Sequence, residues 1–422
     1  MKYHLVIILF ILHNALLQAQ IDCENDSVGL IPINDLGSGT FMGYEGGLYP
    51  GGQNERPAEH TSFGEYIAYT IKPLDTAGNP DWENGSILLA GLGASTAGST
   101  FGKLKEIYSA SSLTNECLGL VQMTFGGKGL ESMIAGNSST YWRLLIDSVL
   151  TPKGYTAKQI QVAWIKSASK DDSINEFPLQ ADSIYSKYIQ AINRTKNIFP
   201  NLKLLYISSH AYGGYAGEFS DNVKLVGEPA SYYGGFSVKW LIESQINGDE
   251  RLKYKGANIN APWISWAPYY WADGINPRET DGLFWECSDY EEDGGGFHHT
   301  ESGKTKEAEM LFDFFYNDPT SSYWFRNDYD CNAPLVDIQA TPESKLTTVY
   351  PNPSNGVFTI ETQFSGEAQL RIYDMTGRLC HAQQLQCAIG EQLTITTSIT
   401  QGVYLMQLEG NQVSITEQLM VR

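Results

Sequence analysis

Four shortages bound what this 422-residue chain does. Basic residues are scarce: 28 Lys and Arg stand against 48 Asp and Glu, a formal net charge of −20. A phosphate backbone or an anionic lipid surface is therefore repelled rather than recruited, and nucleic acid is not expected as a partner. Long apolar runs are missing beyond the first twenty residues. Nothing approaches the roughly 18 apolar residues of a membrane-crossing helix, so no membrane insertion of the mature chain is expected. The six cysteines, Cys23, Cys117, Cys287, Cys331, Cys380 and Cys387, contain no pair at metal-ligand spacing. Histidine is sparse too. With His4, His13 and His381 at the two ends, only His60, His210, His298 and His299 can supply a general base near neutral pH to the central region.

What is present begins with a leader. Met1–Ala19 carries Lys2, the apolar run Leu5–Leu12 and the small residue Ala19 before Gln20, the pattern of a signal peptide cleaved near Ala19. Cys23 follows Gln20, Ile21 and Asp22, not the small residues of a lipoprotein signal, so no lipid anchor is expected. In an exported chain an even cysteine count favours disulfides, with pairings that spacing does not choose. Cys380 and Cys387 form the one local couple, either a staple or two free thiols.

The length and the 42% apolar composition predict two folded units. Ile21 to about Asp81, rich in Gly, Pro and Asn, reads as irregular wrapping. Five short, continuous apolar runs follow: Ile87–Gly91, Leu118–Met123, Ile160–Ile165, Leu202–Ile207 and Trp263–Ala267. Such runs suit strands covered on both faces. Helical periodicity over Leu179–Phe199, Ser237–Ile246 and Lys304–Phe315 alternates with them. The pattern is α/β, a parallel sheet of five strands with helices on both faces and a site at the strands' C-terminal ends. The expected boundaries are 1–19 for the leader, 20–331 for the α/β domain, 332–345 for a Pro-containing linker and 346–422 for the tail.

In the tail, alternating strands over Val357–Thr362, Ala368–Tyr373, Gln392–Thr397 and Val403–Leu408 are separated by turns at Asn355-Gly356, Thr376-Gly377 and Gly410-Asn411. This describes an all-β sandwich. Tyr350–Gly356 (YPNPSNG), Ile372–Arg378 (IYDMTGR), Gly402-Val403-Tyr404 and the terminal pair Leu419 and Val421 resemble the C-terminal sorting domain of the type IX secretion system. The resemblance implies recognition by the type IX secretion machinery and passage across a Gram-negative outer membrane, ending in release or surface attachment.

Chemistry is concentrated in two places. Gly91–Gly98 (GLGASTAG) puts Ser95 in a small-residue turn after the first strand, where the hydroxyl is exposed and backbone N–H groups meet an oxyanion. It is equally a plain strand-to-helix turn with a capping Ser. Asp289–Gly303 (DYEEDGGGFHHTESG) follows the last strand and offers His298 as a base with Asp293 to hold its tautomer. The alternatives there are a metal site at His298 and His299, or a solvated acidic loop. Phe125-Gly126-Gly127 closes the second strand and permits close backbone approach. Trp263, Trp266, Tyr269, Tyr270 and Trp271, with Asp273 and Arg278, suit stacking on sugar rings or, alternatively, core packing; His210, after the fourth strand, can line a pocket.

The order of Ser, Gly, then Asp and His, with Ser208–Ala216, Gly235–Ile242 and Pro262–Arg278, resembles a secreted bacterial branch of the SGNH (GDSL-like) hydrolase superfamily. The resemblance covers roughly 42–325. It implies a flavodoxin-like three-layer α/β/α fold with Ser95 as nucleophile, Ser95 and Gly127 as oxyanion donors, and Asp293 with His298 as the acid-base pair. Where the superfamily usually has Asn after the third strand this chain has Lys166–Lys170 (KSASK), leaving Ser167 or Ser169 as substitutes. Asp293 and His298 are five apart rather than three. The expectation is a secreted serine esterase acting on an acyl ester of a carbohydrate, needing no metal or cofactor. The competing expectation is a non-catalytic surface or carbohydrate-binding protein on the same fold.

Overall fold

The computed structural model describes residues 21–135, 140–217, 223–256, 258–292, 295–329, 347–362, 365–374, 378–410 and 413–422. The leader 1–19, the linker expected at 332–345, Cys331 and Asp293 lie outside the described residues. The chain divides into two compact units, Met1–Asn332 and Ala333–Arg422.

In the first unit the five apolar runs form β1 (Ile87–Gly93), β2 (Leu118–Thr124), β3 (Ile160–Lys166), β4 (Leu204–Ile207) and β5 (Trp263–Trp266). They make one parallel sheet in the order β2-β1-β3-β4-β5. Every residue of β1 and β3 is buried, which accounts for their unbroken apolar character. Helices α1 (Ala58–Tyr69), α2 (Ser95–Ala110), α3 (Leu179–Ile198), α4 (Ala230–Ile246) and α5 (Glu301–Asn317) surround it. α2 packs against α5 and α3 against α4, so helix pairs flank the sheet. α3 buries Ile184, Tyr188, Ala191, Ile192 and Thr195 at helical spacing, and the chain turns at Phe199 just before Pro200. This is the expected three-layer α/β/α arrangement.

Two features differ from expectation. The N-terminal stretch contains α1, whose buried positions are His60, Gly64, Ile67 and Ala68. These are too small and too mixed for a clear apolar stripe. A Cβ at Gly64 would come within 2.5 Å of the Trp263 ring, so this glycine lets the helix lie on β5. α4 begins at Ala230 rather than Ser237, because its first turns are buried almost all round and show little periodicity.

The strand order reverses between β1 and β3, and ligands of such sheets bind outside the carboxyl ends of the strands at that point. Thr124, Gly93 and Lys166 are register partners at the ends of β2, β1 and β3. Residues 126–127, 95 and 167 therefore emerge side by side at one edge of the sheet.

The second unit is a two-sheet sandwich. Its strands are β6 (Thr347–Tyr350), β7 (Val357–Thr362), β8 (Gly366–Asp374), β9 (Leu379–Cys387), β10 (Gln392–Thr396), β11 (Gly402–Gly410) and β12 (Val413–Val421). The sheets run β9-β8-β11-β12 and β10-β7-β6, all antiparallel. Phe358, Ile360 and Ile395 from one sheet share a core with Leu370, Ile372, Met406 and Leu408 from the other. β9 was not legible because it is an edge strand burying only Leu385 and Cys387. Cys380 and Cys387 are free thiols, not a staple. They lie seven residues apart on one extended strand, about 23 Å at the usual rise per residue, against a bridging distance of at most about 7 Å.

Candidate active site

Ser95 is the first residue of α2, immediately past the end of β1. Gly93 makes that turn with φ +136°, and a Cβ there would lie 2.1 Å from the Lys166 carbonyl oxygen. The end of β1 can lie this close to the end of β3 only because this residue is glycine. No side chain caps the helix at Ala94, so the first-turn N–H groups of α2 stay available around Ser95. Beside it, Phe125 N–H donates to the Gly93 carbonyl at 3.0 Å and Lys128 N–H to the Phe125 carbonyl at 3.1 Å. That turn leaves out the N–H of Gly127, which is exposed at φ +70° with open space where a Cβ would stand.

The histidine arrives from the far end of the domain. After β5 the chain runs through a wall held by the Cys23–Cys287 disulfide and by Asp289, whose carboxylate accepts from Lys306 Nζ and Ser302 Oγ. Cys117 is disulfide-bonded as well. Tyr290 and His299 pair as a β-bridge, with Glu291 N–H donating to the His298 carbonyl at 2.8 Å. This small antiparallel clasp turns the His298 ring to Ser95. His298 Nε2 lies 2.8 Å from Ser95 Oγ, with both side chains partly open to solvent.

His299 points the other way. Its ring stacks on Trp285 at 5.1 Å and is buried, and burial pulls its pKa down to about 4. The two adjacent histidines therefore do not converge on one point, and among the described residues no group of three His, Cys, Asp or Glu could hold a metal ion.

The remaining sequence candidates occupy varied positions. His210, with burial pulling its pKa to about 3, lines a small cavity together with Thr96, Lys166, Phe297 and His299. Ser169 lies beyond β3, but its hydroxyl donates to Glu131 at 2.6 Å and accepts from Lys187. The Ser167 side chain is buried. Trp266 and Tyr270 are buried, donating to the carbonyls of Leu48 and Glu307. The Asp273 carboxylate accepts from Ser27 Oγ, Val28 N–H, Gly29 N–H and Asn276 Nδ2, tying the N-terminal segment to the domain. Arg278 is buried against Asp281 and the carbonyls of Tyr269 and Trp271. These four residues build the wall and core rather than facing the Ser95–His298 pair. Glu307 and Thr100, fully buried on α5 and α2, carry no signal in the sequence, since nothing in a helix's apolar pattern marks a glutamate as its innermost residue.

The second unit matches the model of the secretion system C-terminal sorting domain over residues 348–422. It marks the chain for the type IX route to the cell surface or exterior and for contact with that machinery. No described helix is long and apolar enough to cross a membrane. Comparison with curated proteins finds no match. Among solved structures, a carbohydrate acetylesterase from Xanthomonas citri aligns at 12% identity and a TM-score of 0.26, over 74% of this chain and 59% of that one. The chain thus spans less than two thirds of that protein's length. A capsular polysaccharide assembling protein from Staphylococcus aureus aligns at 10% identity and a TM-score of 0.17, over 79% and 95% of the two chains.

Proposed function

We propose that the exported α/β domain is a serine hydrolase that cleaves an acyl ester, with a carbohydrate ester as substrate class. The observation that carries this reading is the 2.8 Å approach of His298 Nε2 to Ser95 Oγ at the sheet's switch point. In the first step Ser95 Oγ attacks the ester carbonyl carbon while its proton passes to His298 Nε2. The oxyanion is met by the N–H groups of Ser95 and Gly127. The C–O bond to the alcohol then breaks, and the imidazolium returns its proton to the leaving oxygen. Water, giving a proton to His298, then attacks the acyl carbon; the bond to Ser95 Oγ breaks, the acid leaves, and the proton passes from His298 to Oγ. Asp293 supplies the carboxylate that holds the imidazole tautomer.

With the Ser169 hydroxyl engaged by Glu131 and Lys187, the oxyanion site rests on backbone donors. That engagement is also what favours the second reading, a carbohydrate-binding protein that keeps the fold without turnover. Hydrolysis of short-chain aryl esters and acetylated polysaccharides separates the two. Release of acid by the native protein and not by Ser95→Ala supports the esterase. Glycan binding without release by either supports the binding protein.

A further inference from the structure

On the core side of the Ser95–His298 pair lies a buried cluster that the proposed chemistry does not touch. Lys166, the last residue of β3, is 1% exposed, and Glu307 of α5 and Thr100 of α2 are fully buried. Lys166 Nζ donates to Glu307 Oε2 at 2.5 Å and to Thr100 Oγ1 at 2.9 Å, and the Thr100 hydroxyl also contacts Glu307 Oε2. His299 Nδ1 is 3.6 Å from the same carboxylate oxygen, and the ammonium lies 5.3 Å from the Tyr270 ring centre. Burial opposes the charged carboxylate. The Lys166 ammonium, His299 and the two hydrogen bonds outweigh it and hold the Glu307 carboxyl below its ordinary range.

A buried ion pair is a poor means of stabilising a fold, since apolar residues of equal volume do as well or better. Its placement offers another account. Lys166 is the register partner of Gly93, two residues before Ser95. Thr100 Oγ1 lies 3.0 Å from the carbonyl of Thr96 in the first turn of α2. Glu307 sits in the second turn of α5, the helix that starts three residues after His298. The cluster thus joins the three elements whose relative position sets the Ser95–His298 distance.

We propose that Lys166, Glu307 and Thr100 are positioning residues, a buried brace that holds the start of α2 against the His298 clasp so that Ser95 Oγ stays within hydrogen-bond reach of Nε2. This rests on the esterase reading for its effect on rate, but not for its effect on geometry. Small misplacements of a nucleophile cost rate far more than binding. The test uses the full chain with Thr100→Val, which keeps the shape and removes the hydroxyl, Thr100→Ser, which restores it, and the volume-matched double variant Lys166→Met/Glu307→Leu. Expected are a fall in kcat of at least about ten-fold with KM within about two-fold for Thr100→Val and the double variant, and recovery to within about two-fold for Thr100→Ser. Crystal structures of Thr100→Val and the double variant are expected to show Ser95 Oγ beyond hydrogen-bond reach of His298. An unchanged separation in these structures, or wild-type kcat in Thr100→Val, overturns the brace. If the native protein cleaves no ester, the esterase reading fails and the crystal structures alone decide the brace. If the double variant does not fold, Thr100→Val decides it.

Discussion

Gly296 rests its backbone on the carbonyl of Tyr215, so closely that a Cβ would stand 1.8 Å from that oxygen. With φ +74° it is strained for any other residue as well. Two residues later comes His298, so this contact sets where the histidine clasp begins. Gly296→Ala is expected to lower the unfolding midpoint and to cut kcat by about ten-fold or more through a displaced His298. Thermal unfolding and ester kinetics on the same preparation check both effects.

Gly127 has the opposite surroundings, a positive φ with open space around it. Gly127→Ala meets no clash, and its cost of about 1–2 kcal/mol is that of the left-handed backbone. Relief of that strain tilts the N–H away from the oxyanion. The expected result is a loss of about ten-fold or more in kcat with KM nearly unchanged, since a single oxyanion donor is worth roughly 10²–10³.

Much of this architecture was legible in the sequence, and the reason is burial. β1 and β3 are enclosed on both faces and read as continuous apolar runs, and the alternation in β7, β8 and β11 follows one face turned to a core. The edge strand β9 and the small-residue helix α1 carry no such imprint. At the candidate site, the segments that bring Ser95 and His298 to 2.8 Å of each other, and the turn at Gly127, stand out in the sequence because tight turns leave glycine-rich signatures. The surroundings of Asp273, Arg278, Trp266 and Tyr270 were not legible, because an aromatic-rich segment with charged residues reads alike whether it faces a ligand or fills a wall. For Asp273 and Trp266 the partners that settle it, Ser27, Val28 and Leu48, lie more than two hundred residues away in sequence.

Asp293 enters this account through the tautomer of His298. Asp293→Asn keeps the shape of the side chain and loses the charge that, on the proposed reading, stabilises the imidazolium. The expected loss in kcat is about 10²–10⁴-fold with little change in KM, read from saturation kinetics against a soluble aryl ester. A KM effect of the same size without a kcat effect would assign Asp293 to substrate binding instead.

Stability is expected to vary with pH below neutrality, through two opposing contributions. Burial holds His60 and His299 at about 4, below the ordinary 6.5. Below pH 6.5 the unfolded chain takes up protons that the folded one refuses, so stability falls between about pH 6.5 and 4, by up to about 3 kcal/mol for each group. Glu228 acts in the opposite sense over nearly the same range. Burial raises its carboxyl to about 7, against hydrogen bonds from Gly213 N–H and Trp271 Nε1. From about pH 4.5 to 7 the unfolded carboxyl ionises while the folded one stays protonated, so stability is lost as pH rises through that range. Glu228→Gln is expected to raise the urea midpoint more at pH 8 than at pH 5.

The central claim is that His298 activates Ser95. Its most direct measurement is covalent labelling by a fluorophosphonate, followed by intact mass and peptide mapping of the native protein, Ser95→Ala and His298→Ala. The account predicts one adduct on Ser95 in the native protein, none in Ser95→Ala and labelling slowed by at least about 10³-fold in His298→Ala. A native protein that stays unlabelled, or one that labels equally fast without His298, would contradict it.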